Sequence, residues 1–215
     1  MAILSAGVFQ STEAAPRARD GVLHVLVLGD SLSDGYGLTR EQAYPALLAQ
    51  KMHAAGDKVR LLNASASGGT TSGGLQRLPK HLAQPIDIFI LELGINDAFR
   101  GLPVSQIRAN LQAIIDQVRA RHPHVQVVIA GMQLPIENAE GYVRAFGEMF
   151  AELAQKNHAA LVPYLLAGVG GDPSLNLGDL IHPNAAGQRI LAENVWRVLE
   201  PALRKTTAAI PAHVE

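Results

Sequence analysis

One serine follows the first apolar segment of the chain in a setting that suits a nucleophile. Ser31 lies in the segment Gly-Asp-Ser-Leu-Ser-Asp-Gly, 29–35, directly after the apolar run that ends at Leu28. A glycine-flanked turn at the end of a buried strand would point the hydroxyl into a cleft, but a serine hydroxyl attacks only when a base takes its proton. An N-cap serine of a helix would fit the same position. The choice between the two interpretations depends on finding the base.

A histidine near the other end of the chain has the neighbours that a catalytic base needs. Of the eight histidines, only His182 has a carboxylate three residues before it and a proline directly after it, in Asp179-Leu-Ile-His-Pro. In a tight turn, Asp179 could bond one ring nitrogen, fix the tautomer and leave the other nitrogen free as base. The alternative is an Asp and a His at a helix N-terminus, where a carboxylate favours the helix dipole.

Acyl transfer also needs hydrogen-bond donors for the oxygen that becomes negative. Gly68 lies in the small-residue loop 64–74, where the lack of a side chain lets a backbone N–H approach a substrate closely. Asn96, in the segment Gly94-Ile-Asn-Asp, could offer its side-chain amide. Taken singly, each residue also has an ordinary explanation as a turn former.

Five apolar runs of strand length alternate with segments of helical period, the pattern of a parallel sheet flanked by helices. Strands are predicted over 22–28, 59–62, 86–93, 125–130 and 161–162. Helices are predicted over 44–55, over 143–153, and from Pro183 to an end at Pro201. A short helical stretch is predicted to end near Leu82, and a longer helix is predicted to begin at Pro103. Ligands bind beyond the carboxyl ends of such strands. The segments of Ser31, Gly68, Asn96 and His182 are therefore expected to meet at one edge of the sheet.

Composition favours one globular domain without nucleic-acid partners. The chain has 215 residues, 48% of them hydrophobic and 17% charged, with a formal net charge of -1 and no cysteine. These values exclude a disulfide framework, a thiolate nucleophile and a basic surface for nucleic acid. No apolar stretch is long enough for a transmembrane helix. We expect a leader or signal remnant over 1–20, one domain over 21–203, and a loose tail over 204–215.

Together, the four segments resemble those of the SGNH, or GDSL-type, serine hydrolases, which are named for a Ser, a Gly, an Asn and a His in four blocks. The corresponding residues here are Ser31, Gly68, Asn96 and His182, in the same order and at similar spacing from about 22 to 199. Within that family the chain is most similar to the acyl-CoA thioesterase I, lysophospholipase L1 and arylesterase group, with which it shares Tyr-Pro-Ala-Leu-Leu, Leu-Glu-Leu-Gly and Asn-Asp-Ala-Phe-Arg-Gly.

The resemblance implies a three-layer α/β/α, flavodoxin-like sandwich with strand order 2-1-3-4-5. It implies a triad of Ser31, His182 and Asp179, and an oxyanion hole made of Ser31, Gly68 and Asn96. The expected reaction is hydrolysis of short aryl or alkyl esters through an acyl-enzyme, with thioesters or lysophospholipids as further candidates. No cofactor or metal is expected. The resemblance also favours a periplasmic or secreted protein, with the cytoplasm left open, as a monomer or homodimer.

Three residues depart from the pattern of the thioesterase group. Gly69 stands where Asp is usual, and Ile95 and Leu180 stand where Gly is common. Bulky apolar side chains at Ile95 and Leu180 would narrow the groove and make it more apolar, so we expect both to contact substrate. The loop 132–140 after the fourth strand, including Leu134 and Pro135, is expected to wall the acyl pocket.

Two other functions remain compatible with parts of the sequence. A carbohydrate O-acetylesterase would use the same residues on a sugar ester. A non-catalytic flavodoxin-like binding module would share only the fold, and 29–37 contains neither the Gly-x-Gly-x-x-Gly nor the Gly-Lys-Ser/Thr pattern of nucleotide-binding loops.

Overall fold

The computed structural model describes residues 21–135 and 139–208, which contain one five-stranded, fully parallel sheet. Its strands lie in the order β2-β1-β3-β4-β5, which confirms the predicted fold class and strand order. The strands are β1 (Leu23–Gly29), β2 (Val59–Asn63), β3 (Ile88–Glu92), β4 (Gln126–Ala130) and β5 (Ala160–Val162).

Helices cover both faces of the sheet, as crossover connections between parallel strands require. On one side α2 packs against α7, and on the other α5 packs against α3 and α6. The helices are α1 (Ser31–Asp34), α2 (Tyr44–Ala54), α3 (Thr71–Arg77), α4 (Ile95–Phe99), α5 (Val104–Arg121), α6 (Glu140–Lys156) and α7 (Ala185–Ala208). Short 3-10 turns cover Arg40–Gln42 and Leu78–His81.

The core lies on both faces of the central strands. All five residues of β3 are buried, and β1 is buried from Val25 onward. A strand that is covered on both faces has to be apolar at nearly every position, because neither of its side-chain rows meets water. The run Ile-Phe-Ile-Leu-Glu in β3 meets this requirement except at its last residue, Glu92.

The last helix does not end at Pro201, so that prediction is wrong. Proline lacks a backbone N–H and its ring crowds the carbonyl four residues earlier, which usually ends or kinks a helix. Here α7 continues through Pro201 to Ala208. Leu199 and Leu203 are buried on either side of the proline, so the helix packs against the core both before and after Pro201. The helix also begins at Ala185, two residues after Pro183.

Two further helical segments differ from the sequence expectation. The residues after β3 form the short helix α4, and α3 begins at Thr71, within the stretch expected to be loop. The predicted leader and most of the predicted C-terminal tail lie outside the described residues. Among residues 21–135 and 139–208, no helix has the length and apolar character needed to cross a bilayer.

Candidate active site

Ser31 is the first residue of α1 and lies at the carboxyl end of β1. The preceding residue, Asp30, is the N-cap: its Oδ1 accepts a hydrogen bond of 3.0 Å from the Leu32 N–H. The first N–H groups of a helix have no acceptor within the helix, so they are available to an external oxygen. Ser31 is only 9% exposed, and its hydroxyl is held where β1 turns sharply into the helix.

The structure brings Ser31, His182 and Asp179 together although 151 residues separate Ser31 from His182. The Ser31 Oγ lies 3.0 Å from Nε2 of His182, and Nδ1 of the same ring lies 2.7 Å from Oδ2 of Asp179. This is the geometry of a nucleophile, a base and an orienting acid in series.

The loop that carries Asp179 and His182 is closed by its own hydrogen bonds. The Leu177 N–H donates to the His182 carbonyl over 2.8 Å. Asp179 Oδ1 accepts the backbone N–H groups of Ile181 and His182, both at 2.9 Å. Hydrogen bonds lower the pKa of Asp179 to about 2. The His182 N–H has the largest effect, followed by the His182 ring and then by the Ile181 N–H. The carboxyl group is therefore ionised at any ordinary pH and can hold the ring nitrogen that faces it.

Gln188 connects α7, which follows the loop of His182, to the helix that begins at Ser31. This side chain is buried on α7, six residues after His182. Its Nε2 donates to the Leu32 carbonyl over 3.1 Å, and its Oε1 accepts the Tyr44 N–H over 2.7 Å. One amide thus joins α7 to both α1 and α2, which fixes the distance between the two halves of the site.

Gly68 lies in the loop between β2 and α3, with a left-handed φ of 72°. Apart from its two chain neighbours, no described residue has an atom within 4 Å of the position that a Cβ would occupy, so the space beside Gly68 is open. The loop is held by α1, because Asp34 Oδ2 accepts both the N–H and the hydroxyl of Ser67, at 3.2 and 2.7 Å.

Asn96 joins the turn of Asp30 and Ser31 to the Gly68 loop. Its Nδ2 donates to Asp30 Oδ2 and to the Gly69 carbonyl, each over 3.1 Å. Both amide hydrogens thus have protein acceptors. To bind a negative substrate oxygen, the amide would have to share one of these hydrogens or turn slightly away from its present partners.

The four residues expected to contact substrate lie in different environments. Ile95 and Leu134 are 9% and 6% exposed and belong to the hydrophobic core, so a substrate could reach only their outer edges. Pro135 is exposed, and residues 136–138 of the same loop lie outside the described residues. Leu180, next to Asp179, is half-exposed. In the described parts of the chain, no three His, Asp or Glu side chains are grouped as they would be to hold a metal ion.

Two fully buried carboxyl groups, Asp30 and Glu92, lie beside the turn that carries Ser31. Glu92 Oε2 accepts the Asp30 N–H at 3.1 Å and the Ser33 hydroxyl at 2.7 Å, whereas no described residue gives Oε1 a hydrogen bond. Burial, and then the charge of Asp30, raise the pKa of Glu92 well above its ordinary value. Burial also raises the pKa of Asp30 to about 6. Because two adjacent buried carboxylates repel, the pair retains a proton that exposed carboxyl groups would release.

We expect this retained proton to make the protein less stable as pH rises. The unfolded chain releases this proton near pH 4, whereas the folded state holds it to higher pH. The free energy of unfolding is therefore highest below that pH and falls as pH rises towards the folded-state pKa values. In Glu92→Gln, the amide oxygen can still accept both hydrogen bonds but cannot titrate. Urea unfolding between pH 4 and 8 should therefore show a smaller fall in unfolding free energy for Glu92→Gln than for the parent protein.

The matched control is Glu148→Gln, which removes an exposed carboxyl group on α6. This variant should keep the pH slope of the parent. Equal slopes for the parent and Glu92→Gln would mean that the Glu92 carboxyl releases its proton at the same pH in the folded and unfolded states.

Sequence reasoning missed Glu92 and Tyr36. A signal for Glu92 was present, because a carboxylate ends an otherwise apolar strand and must have a reason to be buried. The Tyr36 ring packs against the His182 ring with a centroid distance of 4.4 Å and an interplanar angle of 38°. No local sequence pattern predicts this contact, because it depends on the approach of two loops that are distant in the sequence.

A parallel sheet flanked by helices, with a Ser-His-Asp series at the carboxyl edge of its strands, defines the chain as a serine hydrolase of the flavodoxin-like type. Residues 27–190 match the model of the GDSL-like lipase/acylhydrolase family. The chain therefore belongs to that family.

Relatives with names and solved structures support this assignment. The chain is 40% identical to "Esterase TesA" of Pseudomonas aeruginosa over 83% of this chain and 89% of that protein. It is 35% identical to "Thioesterase 1/protease 1/lysophospholipase L1" of Escherichia coli over 82% and 83%, respectively. A crystal structure of TesA superposes with a TM-score of 0.78 at 39% identity, covering 83% of this chain and 99% of that one.

A further solved structure is that of a psychrotrophic esterase, EstA from Pseudoalteromonas, inhibited by monoethylphosphonate. It has a TM-score of 0.78 and 30% identity, covering 84% of this chain and 98% of that one. The family and these relatives make the chain a carboxylic ester hydrolase and set aside the non-catalytic binding module.

Proposed function

We propose that the protein hydrolyses short-chain acyl esters through an acyl-enzyme formed on Ser31. The observation that carries this proposal is the series Ser31 Oγ, His182 Nε2, His182 Nδ1 and Asp179 Oδ2, with distances of 3.0 Å and 2.7 Å across its two hydrogen bonds. His182 is within reach to take the Ser31 proton, and Asp179 keeps the other ring nitrogen protonated.

In the first half of the proposed reaction, Ser31 Oγ attacks the ester carbonyl carbon while His182 Nε2 takes its proton. The carbonyl oxygen becomes negative and is bound by the N–H groups of Ser31 and Gly68 and by the Asn96 amide. When the bond from carbon to the leaving oxygen breaks, His182 gives its proton to that oxygen. In the second half, water takes the place of the alcohol, and the same steps release the acid and restore Ser31.

The oxyanion assignment is supported by the contacts that tie Asn96 and the Gly68 loop to the turn of Ser31. Asn96 contacts both the N-cap Asp30 and the Gly69 carbonyl, which brings it between the nucleophile turn and the Gly68 loop. The open space beside Gly68 leaves room for the carbonyl of a substrate. Asp30 and Asp34 act as positioning residues in this proposal, because they hold Asn96 and Ser67 and touch no reacting atom.

Short acyl chains are favoured by the burial of the apolar residues expected to form the acyl pocket. Ile95 and Leu134 pack into the core, so only their outer edges could meet an acyl chain, whereas Pro135 is exposed. A long chain would leave most of its methylene groups in water and gain little from binding. Thioesters and lysophospholipids remain secondary substrates in this proposal, since one relative carries those activities in its name.

A carbohydrate O-acetylesterase is a weaker candidate. Recognition of a sugar needs polar groups that hydrogen-bond its hydroxyls, whereas the residues that directly precede His182 are Leu180 and Ile181, both about half exposed. The location proposed from the family resemblance is periplasmic or extracellular, and the proposed assembly is a monomer or homodimer.

A p-nitrophenyl ester series from acetate to palmitate tests the acyl preference. We expect kcat/KM to be highest between acetate and hexanoate and to fall by about tenfold or more at laurate, corresponding to a loss of about 1.4 kcal/mol. Palmitoyl-CoA and a lysophospholipid, measured beside the series, should be poorer substrates than butyrate. The Ser31→Ala variant gives the background rate for each substrate. A maximum at laurate or palmitate, or at palmitoyl-CoA, would contradict the short-chain assignment.

A further inference from the structure

Three large apolar side chains are exposed on residues that neighbour His182, one through a ring contact and two in the same loop. Tyr36, Leu180 and Ile181 are 50%, 49% and 54% exposed, although each could gain by burial. Tyr36 packs against the His182 ring, and Leu180 and Ile181 directly precede His182 in its loop. We call these three side chains the apolar platform. Scattered exposed apolar residues are ordinary on a protein surface, but a group of them beside a catalytic base suggests a binding surface.

Leu180 has a backbone conformation that is unfavourable for leucine. Its φ is 58°, in the left-handed region, and among the described residues only His158 shares a positive φ without being glycine. The conformation is imposed by the loop, since the Leu180 N–H donates to the Leu177 carbonyl over 2.9 Å and the next two N–H groups bond to Asp179. Glycine would take this position without strain. A strained and half-exposed leucine beside the active site therefore points to a role in function.

The mechanism determines which part of a substrate meets the platform. In the proposed reaction the carbonyl oxygen faces Gly68 and Asn96, whereas the leaving oxygen faces His182 Nε2, from which it receives its proton. The alcohol or phenol portion of the ester must therefore lie on the His182 side of Ser31. The exposed ring of Tyr36 lies against the His182 ring, and the exposed Leu180 lies two residues before His182 in the same loop.

We propose that Leu180, together with Tyr36 and Ile181, binds the leaving group of the ester and that the protein selects esters of bulky apolar alcohols or phenols over esters of small alcohols. This proposal rests on the proposed function, since it requires Ser31 and His182 to act as nucleophile and base. It makes Leu180 a specificity-determining residue for the leaving group, whereas the acyl group lies against other residues.

The test compares benzyl butyrate with methyl butyrate, which share the acyl group and differ only in the alcohol. In Leu180→Gly the backbone conformation is favourable but the side chain is gone. We expect the ratio of kcat/KM for benzyl to methyl butyrate to fall by about tenfold, the effect of losing partial burial of a leucine side chain. Leu180→Asn, which also tolerates the left-handed region, should lower the ratio similarly and keeps a side chain in the loop.

His158→Gly is the matched control, because it removes the other positive-φ side chain at an exposed position after α6. It should leave the benzyl-to-methyl ratio at the parent value. An unchanged ratio in both Leu180 variants would overturn the proposal. It would also be overturned if the effect of these variants on kcat/KM depended on the acyl group in a series of methyl esters. If the parent hydrolysed neither butyrate above the Ser31→Ala rate, the proposed function itself would fail, and the platform proposal with it.

Discussion

Replacing Ser31 by alanine is expected to lower kcat for p-nitrophenyl butyrate by about 10⁵-fold or more, because the acyl-enzyme can no longer form. The fold should be unaffected, since the Ser31 hydroxyl makes its hydrogen bond to His182 rather than to the core. Steady-state hydrolysis of the purified parent and variant measures the effect, and circular dichroism checks the fold. The residual rate should be independent of His182.

Ser105→Ala is the matched control, since Ser105 is an exposed serine on α5. It should retain the parent kcat and KM. A Ser31→Ala variant that hydrolysed p-nitrophenyl butyrate within tenfold of the parent rate would contradict the nucleophile assignment.

Asp179→Asn is expected to lower kcat by about 10⁴-fold while leaving the loop in place. The asparagine carbonyl can still accept the backbone N–H groups of Ile181 and His182, which bond to Asp179 Oδ1. The amide NH₂ would then face Nδ1 of His182, where the carboxylate Oδ2 lies at 2.7 Å. An NH₂ group cannot accept a hydrogen bond from Nδ1–H but can donate one to an unprotonated Nδ1, so it favours the tautomer with the proton on Nε2. In that state Nε2 cannot take the Ser31 proton.

Asp172→Asn is the matched control for this variant. Asp172 is also an exposed carboxylate that accepts a backbone N–H and a hydroxyl, both from Ser174. Its replacement should leave kcat unchanged. If Asp179→Asn lost less than about tenfold in kcat, Asp179 would not be controlling the His182 tautomer, and another group would have to orient the ring.

Most of the fold follows from features that are local in the sequence. The central strands β1 and β3 are buried on both rows because helices cover both faces of the sheet, so each appears as a nearly continuous apolar run, whereas the edge strand β2 alternates partly buried and exposed residues. The continuation of α7 through Pro201 could not be predicted this way, because the burial of Leu203 against the core outweighs the local tendency of proline to end a helix.

The site could be predicted in part because its residues occupy recognisable positions. Ser31 and Asn96 each follow a strand, and Asp179 lies three residues before His182. The supporting contacts could not be predicted, since they arise between distant segments. Gln188 bonds to residues of α1 and α2, and Tyr36 packs on His182, but neither contact leaves a pattern in its own segment.

The central claim is that His182 activates the Ser31 hydroxyl, and its most direct test is covalent labelling. A fluorophosphonate probe reacts with activated serines, and a phosphonate inhibits the related esterase EstA. Intact-mass analysis and peptide mapping should show a single adduct on Ser31 in the parent protein, slower labelling in Asp179→Asn and no labelling in Ser31→Ala. An adduct on another serine, or equal labelling of the Ser31→Ala variant, would contradict the account.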